Sequence, residues 1–298
     1  MASTSPVASA GAVATAELAS RLPAARRRDL SGVIAHAILV ASVFVLAFPL
    51  YYAFVISTQT LDEVTSLPPK LVPSTNLAQN YADAWARVKM GRLLLNSAIV
   101  ALAVAVGKIA ISLLSAFAIV YFNFRGKQFV FWTIFITLMM PVPVRIVSTY
   151  QVISVLGWID TYWGLTVPLM ASATGTFLFR QFFQTIPDSL AEAAQLDGAG
   201  PLRFLWSFLL PLSKANIAAL FVILFVYGWN DYLWPLIVTN RPEMRTAVIG
   251  IDSLIPRTSQ LPEWNIAMAA AMMVLLPPVV VIVVMQRWFV KGLIETEK

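Results

Sequence analysis

Six stretches of this chain, about 33–57, 93–121, 129–155, 161–183, 213–238 and 265–288, are long runs of mostly apolar residues. Each is long enough to cross a hydrocarbon core of roughly 30 Å as a helix. The expected architecture is therefore an all-α integral membrane protein with six transmembrane helices. Composition points the same way, with 59% hydrophobic residues, 12% charged residues and a mean hydropathy of +0.76. Soluble domains carry about 25% charge. A polytopic chain of 298 residues is most simply one membrane domain.

The net charge of +6 does not mark a nucleic-acid binder, because the basic residues lie between apolar spans and not on one patch. With no cysteine and one histidine, His36, thiol chemistry and a Cys/His metal site are excluded. His36, near the inner end of the first span, reads as an interfacial residue. Residues 1–30 are rich in Ala and Ser without apolar periodicity, which predicts a mostly disordered cytoplasmic tail. Arg26-Arg27-Arg28 before an apolar run has the look of a signal-peptide start. The run is too long for one, and Val55-Ile56-Ser57-Thr58 offers no small-x-small cleavage site, so the first span is expected to stay uncleaved.

An inside N-terminus places Arg21, Arg26, Arg27, Arg28, Arg125, Lys127, Arg180, Arg203, Lys214, Arg287, Lys291 and Lys298 in the cytoplasm. Lys70, Arg87, Lys89, Arg92, Arg241, Arg245 and Arg257 then fall outside. Short cytoplasmic loops are enriched in Lys and Arg, so both termini are expected inside. Prolines Pro49, Pro141, Pro143, Pro168, Pro235, Pro277 and Pro278 punctuate every span except the second. Each removes a backbone hydrogen bond, tolerated where a neighbour re-satisfies the freed carbonyl.

Between the fourth and fifth spans lies a polar insertion, Pro187 to Pro211. Ser189-Leu190-Ala191-Glu192 has capping-box spacing, which predicts a helix start at Ser189. Gly198 stands where a helix would end in a left-handed residue, after Asp197. Gly200-Pro201 makes a turn, with Pro201 opening a second helix. Leu202, Phe204, Leu205, Phe208 and Leu209 would give that helix an apolar side. The expected product is a compact knob of two short helices.

Glu192-Ala193-Ala194, then Gly198, then Leu210-Pro211 resembles the coupling loop of permease subunits in bacterial ABC importers. Asn96-Ser97, Met140-Pro141, Arg180-Gln181-Phe182-Phe183 and Trp229-Asn230-Asp231 resemble the carbohydrate-uptake permeases of the maltose type. Phe135 to Pro141 with Val144-Arg145, Glu263-Trp264-Asn265 and the tail Lys291 to Lys298 are similar to the glycerol-3-phosphate branch of that group. The resemblance covers the chain from about residue 33. It implies a six-span permease domain over 31–298 with its coupling loop at 187–212. It also implies a second permease subunit, a dimer of ATPase subunits and a periplasmic solute-binding protein, in a bacterial inner membrane. ATP and magnesium would bind the ATPase, and no cofactor this chain. Ser189, Glu192, Ala193, Ala194, Asp197, Gly198, Leu210 and Pro211 would form the ATPase contact, with the small alanine face seated in a groove. Glu192 either docks there or only caps its helix.

Lys108 lies near the middle of the second span, where a lysine costs roughly 2.5–3.5 kcal/mol on insertion scales. Gly107-Lys108 echoes the end of a phosphate-binding loop, but Ile109 replaces the needed Ser or Thr and position 102 is Leu, so ATP binding through that motif is rejected. Arg145 is expected towards the outer end of the third span. Together Lys108 and Arg145 give a path a positive field suited to glycerol-3-phosphate or a glycerophosphodiester. The other reading makes Lys108 half of an interhelical pair, with Asp231 as one partner, and leaves Arg145 to snorkel. Asn230 and Asp231 are the second polar cluster at depth. A neutral-sugar permease is the nearest alternative function. A membrane-embedded lipid or phosphate enzyme is the more distant one, poorly served by one histidine and scattered acids. The outer loop from Thr58 to Arg92 is expected to hold an amphipathic helix from Asn76 to Trp85.

Overall fold

The computed structural model describes residues 30–137, 139–256 and 262–295. The expected tail, Arg257 and the chain from Thr296 onward lie outside them. All regular structure among the described residues is helical. Helix α1, Leu30–Ser57, belongs as far as Tyr52 to a unit of its own. Its Phe44, Val45 and Leu46 are more than 70% exposed, as suits side chains meant for lipid. Pro49 sits inside α1 without breaking it, and His36 Nδ1 lies 2.7 Å from the Gly32 carbonyl one turn back, on an exposed face.

The second unit runs from Ala53. It opens with α2, Leu61–Thr65, and α3, Leu77–Arg87, the latter within a residue or two of the expected amphipathic helix. Then α4, Met90–Tyr121, runs 32 residues, about 48 Å at 1.5 Å per residue. The third expected span is broken into α5, Lys127–Thr137, and α6, Val142–Val155, with Met139, Met140 and Pro141 in the break. The fourth is broken too, into α7, Tyr162–Thr166, a 3-10 turn at Val167–Leu169, and α8, Ala173–Gln184.

After the insertion helices α9, Asp188–Leu196, and α10, Pro201–Leu212, the fifth span divides into α11, Lys214–Trp229, and α12, Leu233–Val238. A short α13, Ala247–Asp252, precedes α14, Trp264–Glu295. Three helices among the described residues are long and apolar enough to cross a membrane unbroken: Ile34–Ser57, Met90–Tyr121 and Trp264–Trp288. The first, second and sixth runs are thus single helices. The other three are not, because proline or a polar triplet interrupts their backbone ladder.

Helix α4 is the hub, packed on α8 and α11, while α11 also packs on α14. Small residues allow the close approach: a Cβ on Gly175 of α8 would meet Ser112 Oγ of α4 at 2.5 Å. Aromatic rings fill the core between them, including Phe117, Phe179, Phe183, Phe225 and Trp229.

Two tryptophans repair what two prolines remove. Pro278 has no amide for the carbonyl of Val274, four residues back, and Trp229 Nε1 donates to that carbonyl at 3.1 Å from α11. Pro168 likewise leaves the carbonyl of Gly164, and Trp234 Nε1 of α12 donates to it at 3.0 Å. Both tryptophans are at least 96% buried, where an unmet acceptor would cost about 1–3 kcal/mol. A proline normally bends or breaks its helix; here each also fixes a neighbour's position.

Candidate functional site

The insertion folds as a knob whose boundaries differ from the expected ones. The Ser189–Glu192 capping box does not form. Helix α9 starts two residues earlier, with Pro187 and not Ser189 at the N-cap, at φ −59°, ψ 135° and no side-chain cap bond. Proline has the extended ψ an N-cap needs, and Asp188 follows it in the first turn, where a carboxylate offsets the helix dipole. Glu192 is therefore not used in capping and stands exposed, as do Ser189 and Ala193.

The far end of α9 matches expectation. Asp197 is the C-cap and Gly198 follows at φ 73°. The Gly198 amide donates to Gln195 O at 3.0 Å and the Ala199 amide to Ala194 O at 2.9 Å. That pair of bonds is a Schellman closure, which needs the left-handed residue that glycine provides. Pro201 then opens α10 at its first position, as expected.

Within α10, residues Leu205–Leu209 form a π turn just before Pro211. Pro211 lacks an amide for the Ser207 carbonyl and its ring crowds that oxygen, and a wider turn relieves both problems. At Ser213 the chain bends by 75° into α11. Ser213 is fully buried and its Oγ donates to Leu209 O at 2.6 Å.

The knob has two distinct faces. Ala194, Phe204, Leu205 and Leu209 point inward and are 0–6% exposed; Phe204 meets Tyr121 at the end of α4, ring centroids 5.3 Å apart. Leu196, Leu202 and Trp206 point outward at 89%, 66% and 67% exposure. Two expectations change. Ala194 faces the core and not a partner, so the alanines are not one docking face. Leu202 leaves the apolar side of its helix, because it stays exposed while Phe204, Leu205 and Leu209 are buried and Phe208 packs against the same core. Leu210 is half-buried and Pro211 exposed.

A second site lies midway along α4. Lys108 is 9% exposed, and its ammonium stands 4.7 Å from the centre of the Tyr227 ring. It lines a cavity of about 100 Å³ with Arg145, Thr149, Tyr227, Asp231 and Trp234. Arg145 is in the first turn of α6, directly after the break at Pro141. It therefore shares the depth of Lys108, not the outer end of its span. The positive end of the α6 dipole adds to the field there.

Asp231 occupies the break between α11 and α12, and its Oδ1 accepts from the Trp234 amide at 3.5 Å. The direct ion pairs found among the described residues are Lys70–Glu63 and Arg87–Glu263, so Lys108 and Asp231 share a cavity without salt-bridge contact. Two cations and one acid leave that space net positive. Asn230 does not join them: its Nδ2 donates to Val226 O at 2.9 Å on an exposed face. Tyr227 and Thr149 were not among the expected residues. In the sequence Tyr227 stands four before Asp231, the spacing of neighbours on a helix face, although Asp231 itself falls just past the end of α11. Among the described residues no group of three His, Asp or Glu gathers to hold a metal.

Residues 108–295 match the family of binding-protein-dependent transport system inner membrane components. The chain is 56% identical over 279 residues to the sn-glycerol-3-phosphate transport system permease protein UgpE of Rhizobium meliloti (strain 1021), covering 91% of this chain and 99% of that one. It is 51% identical over 278 residues to the protein of the same name in Yersinia enterocolitica, again over 91% and 99%. A chain in the crystal structure of a bacterial ABC transporter involved in the import of the acidic polysaccharide alginate superposes with a TM-score of 0.78. It covers 90% of this chain and 99% of its own at 20% identity, a likeness of fold.

Proposed function

Because the chain belongs to the family of binding-protein-dependent transport system inner membrane components, we propose that it is the permease subunit that passes sn-glycerol-3-phosphate through a bacterial inner membrane. The observation that carries the choice of solute is the cavity where Lys108 and Arg145 meet at one depth. A buried lysine near the centre of a span is costly and persists where it meets a partner or a path. An arginine fork and a lysine ammonium suit the phosphate of this solute. Tyr227 and Thr149 offer hydroxyls to the glycerol end.

In this reading the six apolar runs each cross the membrane, three of them as broken helices, with both termini in the cytoplasm. The chain works with a second permease subunit, a pair of ATPase subunits and a periplasmic solute-binding protein. It carries no cofactor; ATP and magnesium act on the ATPase. The outward face of the knob, with Glu192, Ala193 and Leu196, meets the ATPase, while Gly198 and Asp197 shape the turn behind it. Nucleotide and binding protein each favour a different state of the complex, since a ligand shifts an equilibrium only by its differential affinity.

The test is Lys108→Met in the assembled complex, comparing uptake of labelled sn-glycerol-3-phosphate with ATP hydrolysis. Losing one charge-assisted hydrogen bond worth about 1.5–3 kcal/mol lowers uptake roughly 10- to 150-fold while ATP hydrolysis persists. Unchanged uptake at normal expression would remove the cavity from the path. Cysteine crosslinks from Glu192 or Leu196 that never capture the ATPase would remove the knob's role.

A further inference from the structure

At the Met90 end of α4, opposite the end that meets the knob, lies a pocket of about 230 Å³. Arg87, Lys89, Arg92 and Arg245 line it. Three of these come from one corner: Lys89 takes a left-handed conformation, φ 51°, which turns α3 back into α4 and gathers its neighbours. The fourth comes from a segment 150 residues away and is brought in by a clamp. Asn96 Nδ2 donates to the carbonyls of Glu243 and Arg245 at 2.8 and 2.9 Å, and Tyr162 Oη donates to Asn96 Oδ1 at 2.7 Å. Ser97 Oγ accepts from the Ala247 amide at 2.8 Å.

The clamp fixes the backbone on both sides of Arg245. Arg92 Nε donates to the Glu243 carbonyl at 3.2 Å, and Arg87 is paired with Glu263. Arg92 is thus held in place before any ligand arrives, which lowers the ordering cost of binding, while Arg87 spends its fork on both oxygens of Glu263 and supplies the wall. Against the four cations stand the carboxylates of Glu243, which also lines the pocket, and of Glu263 and Asp83, which both act on Arg87, so the pocket keeps an excess of positive charge.

We infer that this pocket is an anion site for a phosphate group, distinct from the Lys108 cavity. Guanidinium forks match the geometry of phosphate oxygens, and a concave space of this size encloses a small anionic group. The phosphate can come from a free phosphomonoester or from a lipid headgroup. The inference does not rest on the proposed role of Lys108.

The complex of this chain with its partner permease and ATPase is prepared without binding protein in the Lys108→Met background, so the deeper cavity contributes least. In phosphatidylcholine nanodiscs it is titrated calorimetrically with sn-glycerol-3-phosphate. In detergent with added phosphatidylglycerol, retained lipid is counted by native mass spectrometry. The Lys89→Asn/Arg245→Gln pair leaves the Asn96 clamp intact, and asparagine accepts the left-handed backbone at 89. A tenfold or greater loss of affinity for the soluble phosphate identifies a free solute. Loss of retained phosphatidylglycerol identifies a lipid headgroup. In either case Arg245→Lys alone, which keeps the charge but not the fork, retains more of the binding than the paired substitution. If the paired substitution changes neither measurement, or the parent binds neither probe, the inference is wrong.

Discussion

Replacing Trp229 by Phe removes the indole N–H that meets the Val274 carbonyl and keeps most of the aromatic packing. The acceptor is buried, with Val274 6% exposed, and Pro278 denies it the usual helical donor. In soluble proteins such a loss costs about 1–3 kcal/mol. Between membrane helices measured couplings are smaller, about 0.6 kcal/mol on average and at most about 1.7. The expected cost of the hydrogen bond alone is therefore about 1 kcal/mol, on top of a packing loss. Pro278→Ala separates the two, because the restored amide reaches the same carbonyl. In that background Trp229→Phe should cost only its packing share. Reversible unfolding in mixed detergent micelles for the four proteins gives the coupling directly. An equal loss in both backgrounds would show that the tryptophan does not compensate for the proline.

The carboxyl of Glu63 is lowered to about 2 by the Thr60 backbone amide and then by Lys70. A depressed carboxylate stabilises above its unfolded pKa, and that contribution fades as pH falls through about 2, so the cap of α2 should still be formed at about pH 3; a carboxyl ¹³C titration with a midpoint at the ordinary value refutes this. Gly198→Ala forces alanine to φ 73° where its Cβ meets nothing, so the cost is conformational, about 1–2 kcal/mol, read from the same unfolding assay; Gly198→Asn should cost less. Gly175→Ala drives a Cβ against Ser112 Oγ at 2.5 Å and should separate α8 from α4; adding Ser112→Ala leaves Cβ against Cβ at 3.0 Å and should recover only part of the lost stability.

The unbroken helices α1, α4 and α14 were legible because hydropathy and length agree there. The broken ones were not, since a window average passes over three residues such as Asn230 to Tyr232 while the backbone does not. The knob was legible as a pair of helices but not in its first residue: Ser189 and Glu192 fit the capping pattern, and only their neighbour Pro187 takes the cap instead. Arg145 was visible as a charge and misplaced in depth, because its height depends on where the chain breaks after Thr137. The pocket around Arg245 was not legible at all. Arg245 lies about 150 residues from its other three cations, and their meeting depends on the hydrogen bonds of Asn96 and Ser97.

Helix α11 begins at the Ser213 bend and ends at the break that holds Asp231, an unbroken rod of 16 residues, about 24 Å long. One end is joined to the knob and the other carries Tyr227 into the charged cavity. A tilt of about 5° at the bend sweeps the far tip by about 2 Å at that length. Leverage of this kind needs no relay of side chains: under the proposed function, a modest push on the knob would reshape the space around Lys108.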